Sequence, residues 1–267
     1  MDKKNASKEV WTSGNAYEPF VGRWSRMVAK EFIRWLGLSE KSQWLDVGCG
    51  TGALTQTILE MANPQNVKSI DRAEGFVNFA RNQINDSRAV FEVGDAQSLS
   101  VESESYDAAV SGLVLNFVSH PELMATEMTR AVREGGTVAL YVWDYAEKMQ
   151  FIRHFWNAAT ALDPAAYDLD EGRRFPICNP TALTDLFQAT GLTHVETRAI
   201  DISTDFKDFD DYWSPFLGGQ GPAPSYVMSL SEERRAELRE RIYRSLPFAL
   251  DGSIPLVARA WAVKGIK

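Results

Sequence analysis

The chain has 267 residues, 45% of them hydrophobic and 11% aromatic, enough to bury a substantial core. Its formal net charge of −8 argues against a general nucleic-acid binder, because phosphate recognition draws on clustered Lys and Arg, and favours a small-molecule substrate. Cys49 and Cys178 form neither a metal-ligand spacing nor a disulfide framework. The polar start lacks the core of a signal peptide, and no apolar run approaches the ~20 residues that span a membrane. A cytoplasmic protein without metal centre or membrane insertion is expected.

Val28, Phe32 and Trp35/Leu36 fall at helical spacing, so residues 27–36 are expected to form an amphipathic helix that Gly37 closes. Strand and helix signals then alternate. Strands are expected at 43–48, 66–71, 89–95, 106–114 and 136–144, with helices at 53–61, 75–84 and 121–132. Such alternation implies right-handed crossovers and an α/β fold: a doubly wound, mostly parallel sheet covered on both faces. Residues 193–203 and 256–265 read as two further strands, making seven, and are expected to pair as an antiparallel edge.

Two stretches interrupt this pattern, 145–180 and 204–255, within what is expected to be a single domain over residues 1–267. The second separates two strands that a tight turn could join, so both are expected to build a partly helical cap with a functional purpose. Within it, Leu238, Ile242 and Leu246 mark one stripe of a charged segment, the pattern of a solvated amphipathic helix.

The stretch LDVGCGTGALT (45–55) follows the first strand and opens a helix. Its glycines permit a tight turn and close ligand approach, and the helix N-terminus attracts negative charge. Gly48, Gly50 and Ala53 also satisfy the G-x-G-x-x-A dinucleotide fingerprint, so a nicotinamide or flavin cofactor stays open at this point. Asp71 lies 23 residues beyond Gly48, at the end of strand two, where a carboxylate can accept ribose hydroxyls; Asp95 ends strand three, 24 residues on. Both should converge with the loop at the carboxyl ends of the sheet. Asp46 is the departure: it stands in a strand that should be apolar on both faces, and a buried carboxylate needs a compensating partner.

WLDVGCGTG, SIDRAEGF, VGDAQSL, YDAAVSGLVLNFV and REGGTVALYVW occur in the order and at the spacing of the motifs of class I S-adenosylmethionine-dependent methyltransferases. The chain resembles that family over residues 17–142, most of all the branch with the ubiquinone and menaquinone C-methyltransferases and many small-molecule enzymes. The resemblance implies a Rossmann-like methyltransferase fold and S-adenosylmethionine as donor, leaving as S-adenosylhomocysteine. It implies that Gly48, Cys49 and Gly50 line the donor's methionine part, that Asp71 holds the ribose beside Arg72, and that Asp95 and Ala96 face the adenine. Leu113, Val114 and Asn116 would border the donor at the strand-four exit, and Asp46 would sit near its ammonium. Arg23 could reach the donor carboxylate and Tyr17 could help close the site; packing of Tyr17, Phe20 and Trp24 onto the sheet is the competing expectation.

Methyl transfer is an in-line displacement, so holding the reactants collinear supplies most of the catalysis and no covalent nucleophile is required. A general base is needed only for an acceptor that must lose a proton. His154, Asp144 and Tyr145 are the candidates. The Asn/Asp-Pro-Pro-aromatic signature of planar nitrogen acceptors is missing after strand four, which disfavours DNA adenine and protein amides. A small, partly apolar or aromatic acceptor is expected. The aromatics Phe206, Phe209, Tyr212, Trp213 and Phe216 are expected to pack beneath a cap for the most part, with one or two touching the acceptor. A nicotinamide-dependent oxidoreductase and a non-catalytic S-adenosylmethionine-binding protein are the alternatives.

Overall fold

The computed structural model describes residues 23–218 and 221–267, with Arg23 described by its backbone. Five strands come first in the chain: β1 (Gln43–Val47), β2 (Asn66–Asp71), β3 (Ala89–Val93), β4 (Tyr106–Gly112) and β5 (Val132–Trp143). Helices α1 (Arg23–Leu36), α2 (Ala53–Met61), α3 (Glu74–Gln83) and α4 (Pro121–Ala131) alternate with them. Two late strands, β6 (Thr193–Ser203) and β7 (Val257–Ile266), complete a seven-stranded sheet of order β3-β2-β1-β4-β5-β7-β6. Strands β1 to β5 pair in parallel, and β7 runs antiparallel to both neighbours, wedged between β5 and the outermost β6.

Side-chain alternation assigns the two faces. On β1, Trp44 joins a core with Val28 and Phe32 of α1 and Ile58 of α2. Leu45 and Val47 join the opposite core with Met124 and Met128 of α4. Burial on both faces is what makes a central parallel strand continuously apolar, and Asp46 is the exception the sequence exposes. Helix α1 starts four residues before the expected Met27 but buries the expected stripe, Val28, Phe32 and Leu36. Strand β4 stops at Gly112 rather than 114, because Leu113 takes a left-handed φ of 63° and a 3-10 turn at Leu115–Phe117 follows.

From β3 the chain crosses back to the far side of β1 to form β4. The strand order reverses there, so the carboxyl ends of β1 and β4 diverge into a crevice. The first insertion places α5 (Gln150–Leu162), a 3-10 turn (Pro164–Leu169) and the single turn α6 (Glu171–Arg174) after β5. Helix α7 (Pro180–Ala189), capped by Asn179, then returns to the sheet with Leu183 and Phe187 buried beside Val263. The second insertion forms α8 (Phe209–Trp213), α9 (Pro222–Ser229) and α10 (Glu232–Ser245). Ser231 caps α10, which buries Leu238 and Ile242 with Leu246 just beyond, as the stripe predicts. No helix among the described residues is long and apolar enough to cross a membrane.

Candidate active site

The turn from β1 into α2 needs its glycines for different reasons. Gly48 has φ +77°, and a Cβ there would stand 2.5 Å from a Val114 methyl, so the loop and the β4 exit approach too closely for a side chain. Gly50 has φ +52° and nothing within 4 Å of a would-be Cβ, so it leaves open space above the backbone.

Asp71 ties this loop to β2. Its Oδ2 accepts the Gly50 N–H at 2.9 Å and its Oδ1 accepts the Ala73 N–H at 2.8 Å. Burial raises its pKa, against the lowering effect of these two amide donors. A carboxylate has about four acceptor positions, so two remain for hydroxyl donors. Asp46 lies beneath the loop, fully buried. Thr55 in the first turn of α2 donates its hydroxyl to Asp46 Oδ2 at 2.6 Å and lies 2.8 Å from the Ser69 hydroxyl. Asp46 Oδ1 is buried with no hydrogen-bond partner among the described residues. Burial, with a contribution from the nearby Asp71 charge, pushes the Asp46 carboxyl up to about 7. The floor of the loop is therefore electronegative and short of donors. Beside it, burial and the same two carboxylates push the Cys49 thiol well above its ordinary range, which makes it a poor nucleophile.

A cavity of about 740 Å³ opens over these groups. Gly48, Cys49, Gly50, Asp71, Arg72, Asp95, Ala96, Leu113, Val114 and Asn116 all line it. Asp95 is exposed at its rim and accepts the Gln97 N–H at 2.9 Å, a turn that fixes the β3 exit. The left-handed backbone of Leu113 is held by its N–H to Tyr141 O at 2.8 Å. Both side-chain polar atoms of Asn116 are buried without partners among the described residues. Asp46, fully buried, is not among the residues that line the cavity. Tyr17 and the Arg23 side chain lie outside the described residues.

The wall facing the donor loop comes from β5 and the first insertion: Tyr141, Trp143, Tyr145, Ile152, Glu171 and Phe175, with Arg174 exposed at the mouth. Phe117, Phe175 and Tyr145 form a row with ring centroids 5.3 and 5.5 Å apart. Trp143 Nε1 is buried with no acceptor among the described residues.

Two expected catalytic candidates are elsewhere. His154 points away from the cavity, with its Nδ1 3.4 Å from the Ser245 hydroxyl of α10, and burial lowers its pKa. It lies two residues from Ile152, about 200° around the helix from the residue that does reach the cavity. Asp144 is buried, and its Oδ1 accepts the Glu147 N–H at 3.0 Å, so its carboxylate caps the turn after β5 instead of facing the crevice. Tyr145 does line the cavity. The aromatics of the second insertion pack as expected, Phe206, Phe209, Tyr212, Trp213 and Phe216 all being buried in one core cluster, but none of the five is among the residues that line the cavity. Among the described residues, Pro222 is the contribution of that insertion.

Glu171, Arg174 and Phe175 had no expected role. They sit in an aperiodic stretch of the first insertion where neither helical nor strand spacing marks a face. Tyr141 and Trp143 carried a signal: they alternate with buried neighbours at the carboxyl end of β5, the end that meets the crevice.

Residues 45–140 match the methyltransferase domain family. The chain is 28% identical to a demethylmenaquinone methyltransferase of Roseiflexus sp. strain RS-1, over 59% of this chain and 71% of that one. It is 25% identical to a malonyl-[acyl-carrier protein] O-methyltransferase of Acetivibrio thermocellus, over 52% of this chain and 49% of the other. The chain spans about a quarter to a half of the length of the first three curated relatives it matches. Its fold is that of a Haemonchus contortus phosphoethanolamine N-methyltransferase solved with S-adenosylhomocysteine, with a TM-score of 0.59 at 15% identity over 95% of this chain and 56% of that one. The glycine loop, ambiguous by its fingerprint alone, thus falls within the stretch, residues 45–140, that is similar to a methyltransferase domain.

Proposed function

We propose that this protein transfers a methyl group from S-adenosylmethionine to a small, partly apolar or aromatic acceptor. The observation that carries the reading is the single cavity in which the glycine loop and the β2, β3 and β4 exits face an aromatic wall. Three features fit the donor: open space above Gly50, the unpartnered amide of Asn116, and two buried carboxylates whose mutual repulsion a cationic ligand would relieve. Gly48, Cys49 and Gly50 would line its methionine part, Asp71 with Arg72 its ribose, and Asp95 with Ala96 its adenine. Leu113, Val114 and Asn116 would close that side, Arg23 would pair with the donor carboxylate, and Asp46 would act from below the loop.

When bound, S-adenosylmethionine supplies an electrophilic methyl group whose departure leaves a neutral thioether. The protein's part is to hold an acceptor atom in line with it and to exclude water, which suits a closed aromatic wall. Phe117, Tyr145 and Phe175 would flank a planar acceptor. The relatives and the structural neighbour carry names with three different acceptors, so the acceptor class rests on the wall alone. Calorimetry tests the reading: S-adenosylhomocysteine binds with a micromolar-range Kd, and Asp71→Ala abolishes binding while circular dichroism stays native. Absence of binding to the folded wild type would end it.

A further inference from the structure

The loop that ends β1 covers a carboxyl group whose surroundings leave it incomplete. Asp46 is fully buried; Thr55 donates its hydroxyl to one oxygen at 2.6 Å, and the other, Oδ1, has no partner among the described residues. Thr55 in turn lies 2.8 Å from the hydroxyl of Ser69, the β2 residue in register with Asp46. Packing does not ask for a carboxyl here. A strand covered on both faces calls for apolar side chains, and the neighbours Leu45 and Val47 are apolar and buried. With a single hydroxyl donor, a neutral acid costs less to bury than an anion.

Asp71 makes the contrast. It accepts the Gly50 and Ala73 N–H groups, donors that favour the ionised form, and it lines the cavity. Asp46 has a hydroxyl in place of those amides. Its charge nevertheless reaches the cavity, because Asp46 and Asp71 both push up the thiol of Cys49, which lines it. The titratable groups around Asp46 are thus Asp71 from the β2 exit and Cys49 from the loop; Thr55 of α2, Ser69 of β2 and Val110 of β4 are its uncharged neighbours. Burial and the Asp71 charge favour the protonated form of Asp46, and the Thr55 hydroxyl opposes them. None of these groups is a cation. A positive charge held in the cavity would tip the balance toward the anion.

S-adenosylmethionine carries that charge on its sulfur and S-adenosylhomocysteine does not, while adenine, ribose and amino-acid groups are common to both. Asp71, whose open acceptor positions suit the shared ribose, meets the two alike. We propose that Asp46 reads the charge on the donor's sulfur: it releases its proton to solvent when S-adenosylmethionine occupies the cavity and takes one back when S-adenosylhomocysteine is left there. This rests on the methyltransferase reading above. The balance is simple. On donor binding the O–H bond of the acid breaks, its electron pair stays on oxygen and one proton enters solvent; once the sulfur is neutral, the carboxylate recovers one proton from solvent. Asp46 is a positioning residue that acts through its charge. An Asp46 already ionised favours the cation, so affinity for donor relative to product rises with pH, and product inhibition strengthens as pH falls.

The test is calorimetric titration of the full chain with S-adenosylmethionine and with S-adenosylhomocysteine, in buffers of different ionisation enthalpy, so that protons released are counted alongside affinity. The Asp46 carboxyl titrates near 7 before ligand binds, which places the window just below that pH. Near pH 6 the wild type should release about half a proton or more with S-adenosylmethionine beyond what it releases with S-adenosylhomocysteine. The donor-to-product affinity ratio should rise about threefold or more between about pH 5.5 and 7.5. Asp46→Asn leaves each ligand's own ionisation in place, so it should abolish the wild-type excess and flatten the ratio to what the ligands alone produce. Equal proton counts in wild type and folded variant, or a ratio with the same pH dependence in both, would overturn the proposal. Should the variant fail to fold, difference infrared spectra of the wild type decide: S-adenosylmethionine removes a protonated-carboxyl carbonyl band that S-adenosylhomocysteine leaves in place, and a band that both remove or both leave contradicts the account. Failure of both ligands to bind would instead strike the methyltransferase reading itself.

Discussion

The two insertions differ in what they do with their aromatic residues. The second, 204–255, carries a close run of aromatics, yet Phe206, Tyr212 and Phe216 bury their rings against Phe151 and Phe155 at centroid separations of 4.6–5.3 Å. Tyr212 even donates its hydroxyl to the Phe151 carbonyl, which closes its polar end. The first, 145–180, gives Phe151, Phe155 and Trp156 to the same cluster but leaves Tyr145 and Phe175 facing the cavity, together with Glu171 and Arg174. A close run of aromatics therefore marks where the cap is held together, and aromatics set apart from such a run mark where it meets the cavity. The physical reason is that a cluster large enough to exclude water from itself has little surface left to offer.

That contrast can be broken by mutation. Phe216→Ala should lower stability by about 3–5 kcal/mol, seen as a fall in Tm, while the folded fraction keeps its S-adenosylhomocysteine affinity. Loss of donor affinity without loss of stability would place the second insertion in the site. Gly48→Ala should weaken S-adenosylhomocysteine binding by roughly 10- to 100-fold, because the new methyl must displace Val114 and sits on a left-handed backbone that costs about 1–2 kcal/mol. Phe175→Ala should raise the KM for the acceptor by about tenfold, the value of one lost aromatic contact, with a smaller fall in Tm than Phe216→Ala because only its contacts with Phe117 and Tyr145 and part of its packing are lost. A KM that does not move would remove Phe175 from the acceptor wall.

A pH effect follows from Asp46. Its folded carboxyl titrates near 7 against 3.8 for an ordinary aspartate, so the folded state holds a proton that the unfolded state releases over this interval. Wild-type stability should therefore fall as pH rises from about 4 toward 7 and level off above, by roughly 1.4 kcal/mol per unit as an upper bound. Asp46→Asn removes the buried charge, so its Tm advantage should be larger at pH 8 than at pH 5. Equal advantages at both would contradict the buried-anion account. The smallest effect belongs to His154→Ala, which should leave methyl transfer within about twofold because the ring faces α10 rather than the cavity.

The fold was legible because its signals are local and repeated. Apolar runs between breakers marked β1 to β5, and the spacing from Gly48 to Asp71 and Asp95 marked three strand exits that do line one cavity. The acceptor side was less legible because turn geometry decides it. Asp144 and Tyr145 are neighbours just past β5, yet one carboxylate folds back onto the Glu147 amide while the next side chain reaches the cavity. Helical phase could have excluded His154, since the buried stripe of α5 runs through Phe151, Ile152, Phe155 and Trp156. No periodicity could have located Glu171, whose position depends on Gly172 permitting close approach to the Tyr145–Ala146 backbone.

The central claim, that the glycine loop and the β2 exit form a methyl-donor site, is tested most directly by calorimetric titration of the wild type and Asp71→Ala with S-adenosylhomocysteine. Micromolar-range binding that disappears in the variant, with both proteins folded, is the predicted result. Absence of binding to the wild type, or equal binding to the two, would contradict it.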